Sequence, residues 1–309
     1  MSPLAAYPSP AQRDARLAAL AEALGAGVEL IGESVQHRPI HALHLPASSA
    51  ASGTSILITA NIHGPEFVSS QVALGCLEAC VAQDAAWVGL RERADLWVIP
   101  CLNPDGYAAT YDREGRGPLA ELRANARGVD LNRNYPLPTG ARRWPFPGAG
   151  SSNPRAATYR GPQALSEPET AALARLAERI KPAASVGLHS FMGTVIPARV
   201  RDTASYTGYR QLAKVFAQAQ PRWPYRRVAS RHVDLYTGEQ EDFLHHQFGC
   251  WSVCVETYSL RASFSAHLRA PSLFARFNPA DPASWIANDV PGIAAYFDAA
   301  LRLGPPERG

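Results

Sequence analysis

The chain has 309 residues, 46% of them hydrophobic, which is enough for a large buried core and suits a single α/β enzyme domain. A net charge of +3 is too small to support a nucleic-acid partner, and no apolar run approaches the length that spans a bilayer. Five cysteines (Cys76, Cys80, Cys101, Cys250 and Cys254) form no CxxC pair, and their odd number and apolar settings predict reduced, buried thiols in a reducing compartment.

Residues 11–25 read as a helix ending at Gly25. Its apolar stretch 17–24 is interrupted by Glu22 and follows no basic cluster, so it reads as amphipathic rather than as a signal segment, and a cytoplasmic protein is expected. Residues 28–31 and 40–45 read as two strands joined around Gln36-His37-Arg38-Pro39. The first core strand is 55–60, followed by the turn His63-Gly64-Pro65-Glu66 and a helix to about residue 82. A strand at 94–100 runs into Leu102-Asn103-Pro104-Asp105-Gly106. Residues 136–165, rich in Pro, Gly and Arg, read as a long ordered loop over a site. Ser166 is the expected N-cap of the next helix, with Glu169 completing a capping box, and that helix runs to about Ile180. Strand 184–188 then delivers His189, strand 251–255 delivers Glu256, and 291–301 is a closing helix. Strands alternating with helices imply a mostly parallel or mixed sheet with ligands at the carboxyl ends of its strands.

The turn after strand 55–60 carries the most chemistry. His63 and Glu66, three residues apart, offer one imidazole nitrogen and one carboxylate to the same point. A third ligand from another strand end, for which His189 is placed, would complete a His2Glu zinc set with an open fourth position. An isolated His-x-x-Glu arises often by chance, so the remaining segments decide.

Those segments are Leu102-Asn103-Pro104-Asp105-Gly106-Tyr107, Arg123-Ala124-Asn125, Gly128-Val129-Asp130-Leu131-Asn132-Arg133-Asn134-Tyr135-Pro136, Tyr159-Arg160-Gly161-Pro162 with Ser166-Glu167-Pro168-Glu169, Leu188-His189-Ser190 and Val255-Glu256-Thr257. With the His63 turn they cover about residues 55–260, and in order and spacing the chain resembles the zinc metallocarboxypeptidases of the carboxypeptidase A-like family, on its peptidase and murein-peptide amidase side. The resemblance implies one catalytic domain over 1–309, built on a mixed, mostly parallel, eight-stranded sheet between helices. It implies zinc on His63, Glu66 and His189, with Asp130 orienting a zinc histidine. Glu256 would be the general base. Arg123 would steady the oxyanion, with Arg127 as the rival arginine. Asn132 and Arg133 would bind a terminal carboxylate, for which a guanidinium fork is suited, unless Arg133 merely pairs with Asp130. A mobile substrate-binding tyrosine of the family falls near Tyr236, or without a gap on Asp234. Glu241 falls where the family sets side-chain preference, and there it would favour an amine such as lysine or diaminopimelate; the other reading is a surface acid in Gly238-Glu239-Gln240-Glu241-Asp242. The implied activity is hydrolysis of an amide bond next to a free carboxylate in a small peptide, with no nucleic-acid or membrane partner. The alternatives are an N-acyl amino acid deacylase, like aspartoacylase or succinylglutamate desuccinylase, and a peptide-binding relict without activity.

Overall fold

The structure, a computed structural model, describes residues 3–49, 53–143, 145–229 and 235–306. In chain order the strands are β1 (Gly27–Glu33), β2 (Pro39–Leu45), β3 (Ser55–Ala60), β4 (Asp95–Ile99), β5 (Arg142–Arg143), β6 (Ala184–Ser190), β7 (Thr194–Pro197), β8 (Arg226–Arg227), β9 (Leu235–Tyr236) and β10 (Trp251–Thr257). The helices are α1 (Pro10–Leu24), α2 (Phe67–Val81), α3 (Ala85–Arg91), α4 (Pro104–Asp112), α5 (Leu119–Arg123), α6 (Pro168–Ile180), α7 (Thr203–Ala219), α8 (Gln240–Phe248), α9 (Phe264–Leu268), α10 (Leu273–Phe277) and α11 (Ala283–Leu303).

Eight strands form one mixed sheet in the order β1-β2-β4-β3-β6-β10-β7-β8. The inner strands β4, β3, β6 and β10 are mutually parallel, while β1, β2 and β7 join antiparallel. Every residue of β3 and β6 is buried, which fits strands covered by helices on both faces. The outer strand β1 instead has exposed or half-buried residues throughout. One apolar layer packs α1, α2 and α11 against the sheet, and a second packs α6 and α8 on the other side. Among the described residues no single helix is long and apolar enough to cross a membrane.

Local signals explain most boundaries. Ser9 caps α1 with a reciprocal bond to Gln12, Pro10 stands in its first turn, and Gly25 closes it at φ 60°. Ser166, expected as the cap of α6, is displaced by one residue. Glu167 holds the N-cap position without a side-chain cap bond, and α6 starts at Pro168. The Ser166 hydroxyl is drawn elsewhere: it donates to Glu167 Oε1 at 2.8 Å and accepts from Asn134 Nδ2 at 3.0 Å. Glu169 is likewise taken, by Asn125 Nδ2 and the backbone N–H of Val35. The long segment 136–165 is ordered by such bonds and contributes β5, which pairs with β9. Helix α11 starts well before the expected residue 291 and carries Pro291 inside it. Helix α7, with Tyr209, Leu212, Ala213 and Phe216 on its buried face, goes beyond the sequence expectations.

Candidate active site

The site lies at the carboxyl ends of the parallel strands. After β3, Asn61 takes a left-handed φ of 52° and its side-chain amide donates to the His63 carbonyl at 3.0 Å. Gly64 is required by close approach: a Cβ there would stand 2.3 Å from Leu122 O and 2.6 Å from Gly106 O. The turn therefore packs directly on the ends of α4 and α5, and sets Glu66 at the N-cap position of α2. His189 lies near the end of β6, and in the parallel register its partner on β10 is Glu256.

These elements bring the two histidines and Glu66 together. His63 Nδ1 is 2.8 Å from Glu66 Oε1, and His189 Nδ1 is 3.1 Å from Glu66 Oε2. All three side chains are buried, and their potential ligand atoms lie within 4.8 Å of one another. On its other side His63 Nε2 meets Asp130 Oδ1 at 3.1 Å. Asp130 is buried among His63 and Arg123 and, against the effect of burial, Arg123 and then His63 hold it well below the usual carboxylate range. Both ring nitrogens of His63 thus face carboxylates, and Asp130 orients the imidazole so that Nδ1 points to the place it shares with Glu66 and His189. Two nitrogens and one carboxylate suit a zinc ion, so the residues present fit the metal. Without a metal, protons take its place: burial lowers the His189 pKa, but the Glu66 charge outweighs it and lifts it to about 9.

A cavity of about 300 Å³ is lined by this cluster together with Arg123, Asn132, Arg133, Glu241 and Glu256. A larger hollow of about 490 Å³ between residues 136–139 and α8 contains none of the metal-binding cluster. Glu256 Oε2 is buried and has no hydrogen-bond partner among the described residues. Burial, and then the Glu66 charge, push the Glu256 carboxyl up to about 7, against the pull of His189 and Arg123.

Arg123 Nε donates to Asp130 Oδ2 at 2.8 Å, and its Nη1 lies 4.0 Å from Glu66 Oε1. Arg127 turns away, with Nη1 3.7 Å from Glu167 Oε2, so of the two arginines Arg123 is the one at the cavity. Asn132 and Arg133 sit on the 3₁₀ turn Leu131–Arg133, opened by Asp130. Asp130 is engaged by His63 and Arg123; Arg133 pairs instead with Glu239, Nη1 to Oε1 at 3.2 Å.

Two expectations, on β9 and at the start of α8, resolve differently. Glu241 is no surface acid: it is 4% exposed and lines the cavity. Tyr236, the expected substrate-binding tyrosine, is buried outside the cavity lining, because its hydroxyl donates to the Arg199 carbonyl at 3.3 Å and an arginine, Arg201, lies over its ring. The ungapped alternative, Asp234, lies outside the described residues. Sequence reasoning passed over Glu239, Arg199, Ser190 and Cys254. Of these, Glu239 carried a signal, since three acids in four residues flank the buried side of a short helix.

Residues 17–265 match the family model described as zinc carboxypeptidase, and the chain belongs to that family. Among individual proteins it is similar to metallocarboxypeptidase A of Trichophyton tonsurans, 32% identical over 208 residues, which is 61% of this chain and 47% of that protein. It is also similar to murein peptide amidase A of Escherichia coli (strain K12), 36% identical over 168 residues, 53% of this chain and 59% of that protein. The chain thus spans about half the length of the curated relatives it matches. Its fold matches thrombin activatable fibrinolysis inhibitor with a TM-score of 0.78 at 18% identity, over 96% of this chain and 75% of that one. Carboxypeptidase A from Helicoverpa armigera matches with a TM-score of 0.73 at 22% identity, over 96% and 74%.

Proposed function

We propose that the protein is a zinc-dependent hydrolase that cleaves the amide bond next to a free carboxylate in small peptides, as a carboxypeptidase or peptide amidase. One observation carries the reading: the cavity that holds the His63, Glu66 and His189 cluster is also lined by three groups whose buried polar atoms have no partner among the described residues, Glu256 Oε2, Arg133 Nε and Ser190 Oγ. An acceptor and a donor left without partners in a buried site lose free energy unless a ligand meets them.

His63, Glu66 and His189 would hold the metal. When bound, zinc supplies Lewis-acid polarisation and lowers the pKa of water. Glu256 takes a proton from the attacking water on its carboxylate and returns it to the leaving nitrogen, a role that suits a buried carboxyl raised above its ordinary value. Arg123, fixed by Asp130, donates to the developing oxyanion. Arg133 takes the terminal carboxylate. Asn132 Oδ1 is occupied by the Gln240 N–H at 2.9 Å, which leaves its Nδ2 as the donor for that carboxylate.

Glu241 supports a side-chain preference. It lines the cavity with no cation paired to it among the described residues, so a substrate amine of the lysine or diaminopimelate kind would fill that role. The five free, buried cysteines support a reducing, cytoplasmic setting, and the single eight-stranded sheet supports one catalytic domain. The test is a panel of dipeptides, murein-type peptides and N-acyl amino acids, with and without chelator. Chelator-sensitive release of a carboxyl-terminal lysine or diaminopimelate, faster than of leucine or glutamate, is the expected result. Turnover of N-acyl amino acids alone would replace the reading with deacylation, and no metal-dependent turnover on any substrate would remove it.

A further inference from the structure

Arg133 does not stand alone in the cavity. Its Nη1 is used twice, by Glu239 Oε1 at 3.2 Å and by its own neighbour's carbonyl, Asn132 O, at 2.6 Å. Its Nε has no acceptor, and among the described residues Nη2 has none either. The guanidinium is therefore pinned at one corner, its Nε is buried without a partner, and Nη2 is left as the donor for a carboxylate.

What does the pinning is itself held. The other oxygen of Glu239 accepts from Arg199 Nη1, and the same nitrogen donates to Asp242 Oδ2 at 3.0 Å. The backbone N–H of Arg199 donates to Asp242 Oδ1 at 2.7 Å. The Arg199 carbonyl is met by Tyr236 Oη at 3.3 Å and by His246 Nε2 at 2.8 Å. A chain of alternating charge, Asp242–Arg199–Glu239–Arg133, thus runs from the loop after β7 across the start of α8 to the cavity. Glu239 is half of two ion pairs and is itself only about one-eighth exposed, with 12% of its side-chain surface open. An arginine side chain has four freely rotating bonds, so a free Arg133 would lose substantial rotamer entropy each time a carboxylate bound. Glu239 removes that freedom in advance.

The geometry points to Glu239 as the positioning residue for carboxylate recognition: with Arg199 behind it, it holds the Arg133 guanidinium at the cavity with Nη1 taken and Nη2 left for an incoming carboxyl terminus. This rests on the reading of Arg133 as the carboxylate anchor. It also gives Tyr236 and His246 a place, since both brace the Arg199 backbone rather than the substrate.

The test measures kcat and KM for a good peptide and for its carboxyl-terminal amide, with zinc content and melting temperature alongside. Glu239→Ala should raise KM for the free acid about tenfold while kcat falls less than about threefold, as expected for lost ground-state anchoring. Zinc content should hold, and kcat/KM on the amide should change less than about threefold. Glu239→Gln keeps an acceptor for Nη1 and should recover part of the loss; it also serves if the alanine variant does not fold. Arg133→Lys is the reference, and should show a larger loss confined to the free acid. If Arg133→Lys is selective for the acid but neither Glu239 variant is, the positioning role is overturned and the anchor stands. If Arg133→Lys weakens acid and amide equally, the anchor reading falls and the positioning role with it.

Discussion

Glu241→Gln separates what the folded protein tolerates from what a substrate uses. Glu241 is buried on α8 beside two other acids, and burial, then the charges of Glu239 and Asp242, push its carboxyl from 4.5 up to about 8. In the unfolded chain it titrates near the ordinary value. Between pH 4.5 and 8 the folded form keeps a proton that the unfolded form has released, so stability falls as the pH rises through that window. At about 1.4 kcal/mol per pH unit of displacement, the loss above pH 8 is on the order of 3–5 kcal/mol. Glutamine has no proton to lose and nearly the same shape. The variant should therefore melt at the parent's temperature near pH 5 and roughly 6–10 °C above it near pH 8.5, taking about 2 °C per kcal/mol for a chain of this size. Scanning calorimetry at both pH values, on metal-free and zinc-loaded protein, measures this. Near pH 8.5 the same variant should lose most of the preference for lysine over leucine in kcat/KM, because the carboxylate ionised there is the partner the amine would meet. A stabilisation equal at both pH values, or a lower melting temperature near pH 8.5, would refute the argument that Glu241 is a strained, uncompensated acid.

His189→Ala should abolish stoichiometric zinc in elemental analysis of purified protein, where the parent carries about one ion per chain; full retention would reject the ligand set. Glu256→Gln should keep zinc and lower turnover by at least about 10²-fold, the low end for a lost general base, and unchanged turnover would remove Glu256 from that role. Gly64→Ala should destabilise by about 1–3 kcal/mol in urea unfolding, since its new methyl would meet two carbonyl oxygens at 2.3 and 2.6 Å. Gly89→Ala in α3 has open space around it and should stabilise by a few tenths to about 1 kcal/mol. Equal effects at the two glycines would contradict the close approach argued for the His63 turn.

That His63, Glu66, His189 and Glu256 come together in one cavity was readable from the sequence because their signals are local. Each follows a mostly apolar, buried run, and a polar group at the end of a buried strand is placed by the strand itself: β3 leads into His63, β6 carries His189, and β10 carries Glu256 beside it in register. Continuous apolar runs also betray strands covered on both faces, which is why the inner sheet was legible. Strands β7 and β8, of four and two residues, are held by pairing with neighbours and have too little periodicity to announce themselves. The link from Glu239 to Arg199 joins residues 40 apart from different elements, with no spacing rule to suggest it. The Ser166 cap misled for the same kind of reason: its local propensity for an N-cap lost to tertiary bonds from Asn134 and to Glu167.

The two carboxylates nearest the metal-binding cluster are the same chemical group, and their surroundings assign them different work. Glu66 is buried, which raises its pKa, but it lies between His63 and His189 and their charges carry it down to about 2. It stays anionic across the working range, as a metal ligand must. For Glu256, burial and then the Glu66 charge outweigh the pull of His189 and Arg123, and among the described residues one of its oxygens has no donor, so its affinity for a proton sits near neutrality. Two acids whose environments push them apart in this way are suited, on the proposed reading, to the roles of permanent charge and proton carrier. A divalent cation among His63, Glu66 and His189 adds positive charge close to both, which lowers Glu256 from about 7 and moves the onset of base catalysis to more acidic pH. The acidic limb of kcat/KM should accordingly fall below pH 7 in the zinc-loaded protein and disappear in Glu256→Gln. A limb that persists unchanged in that variant would assign it to another group.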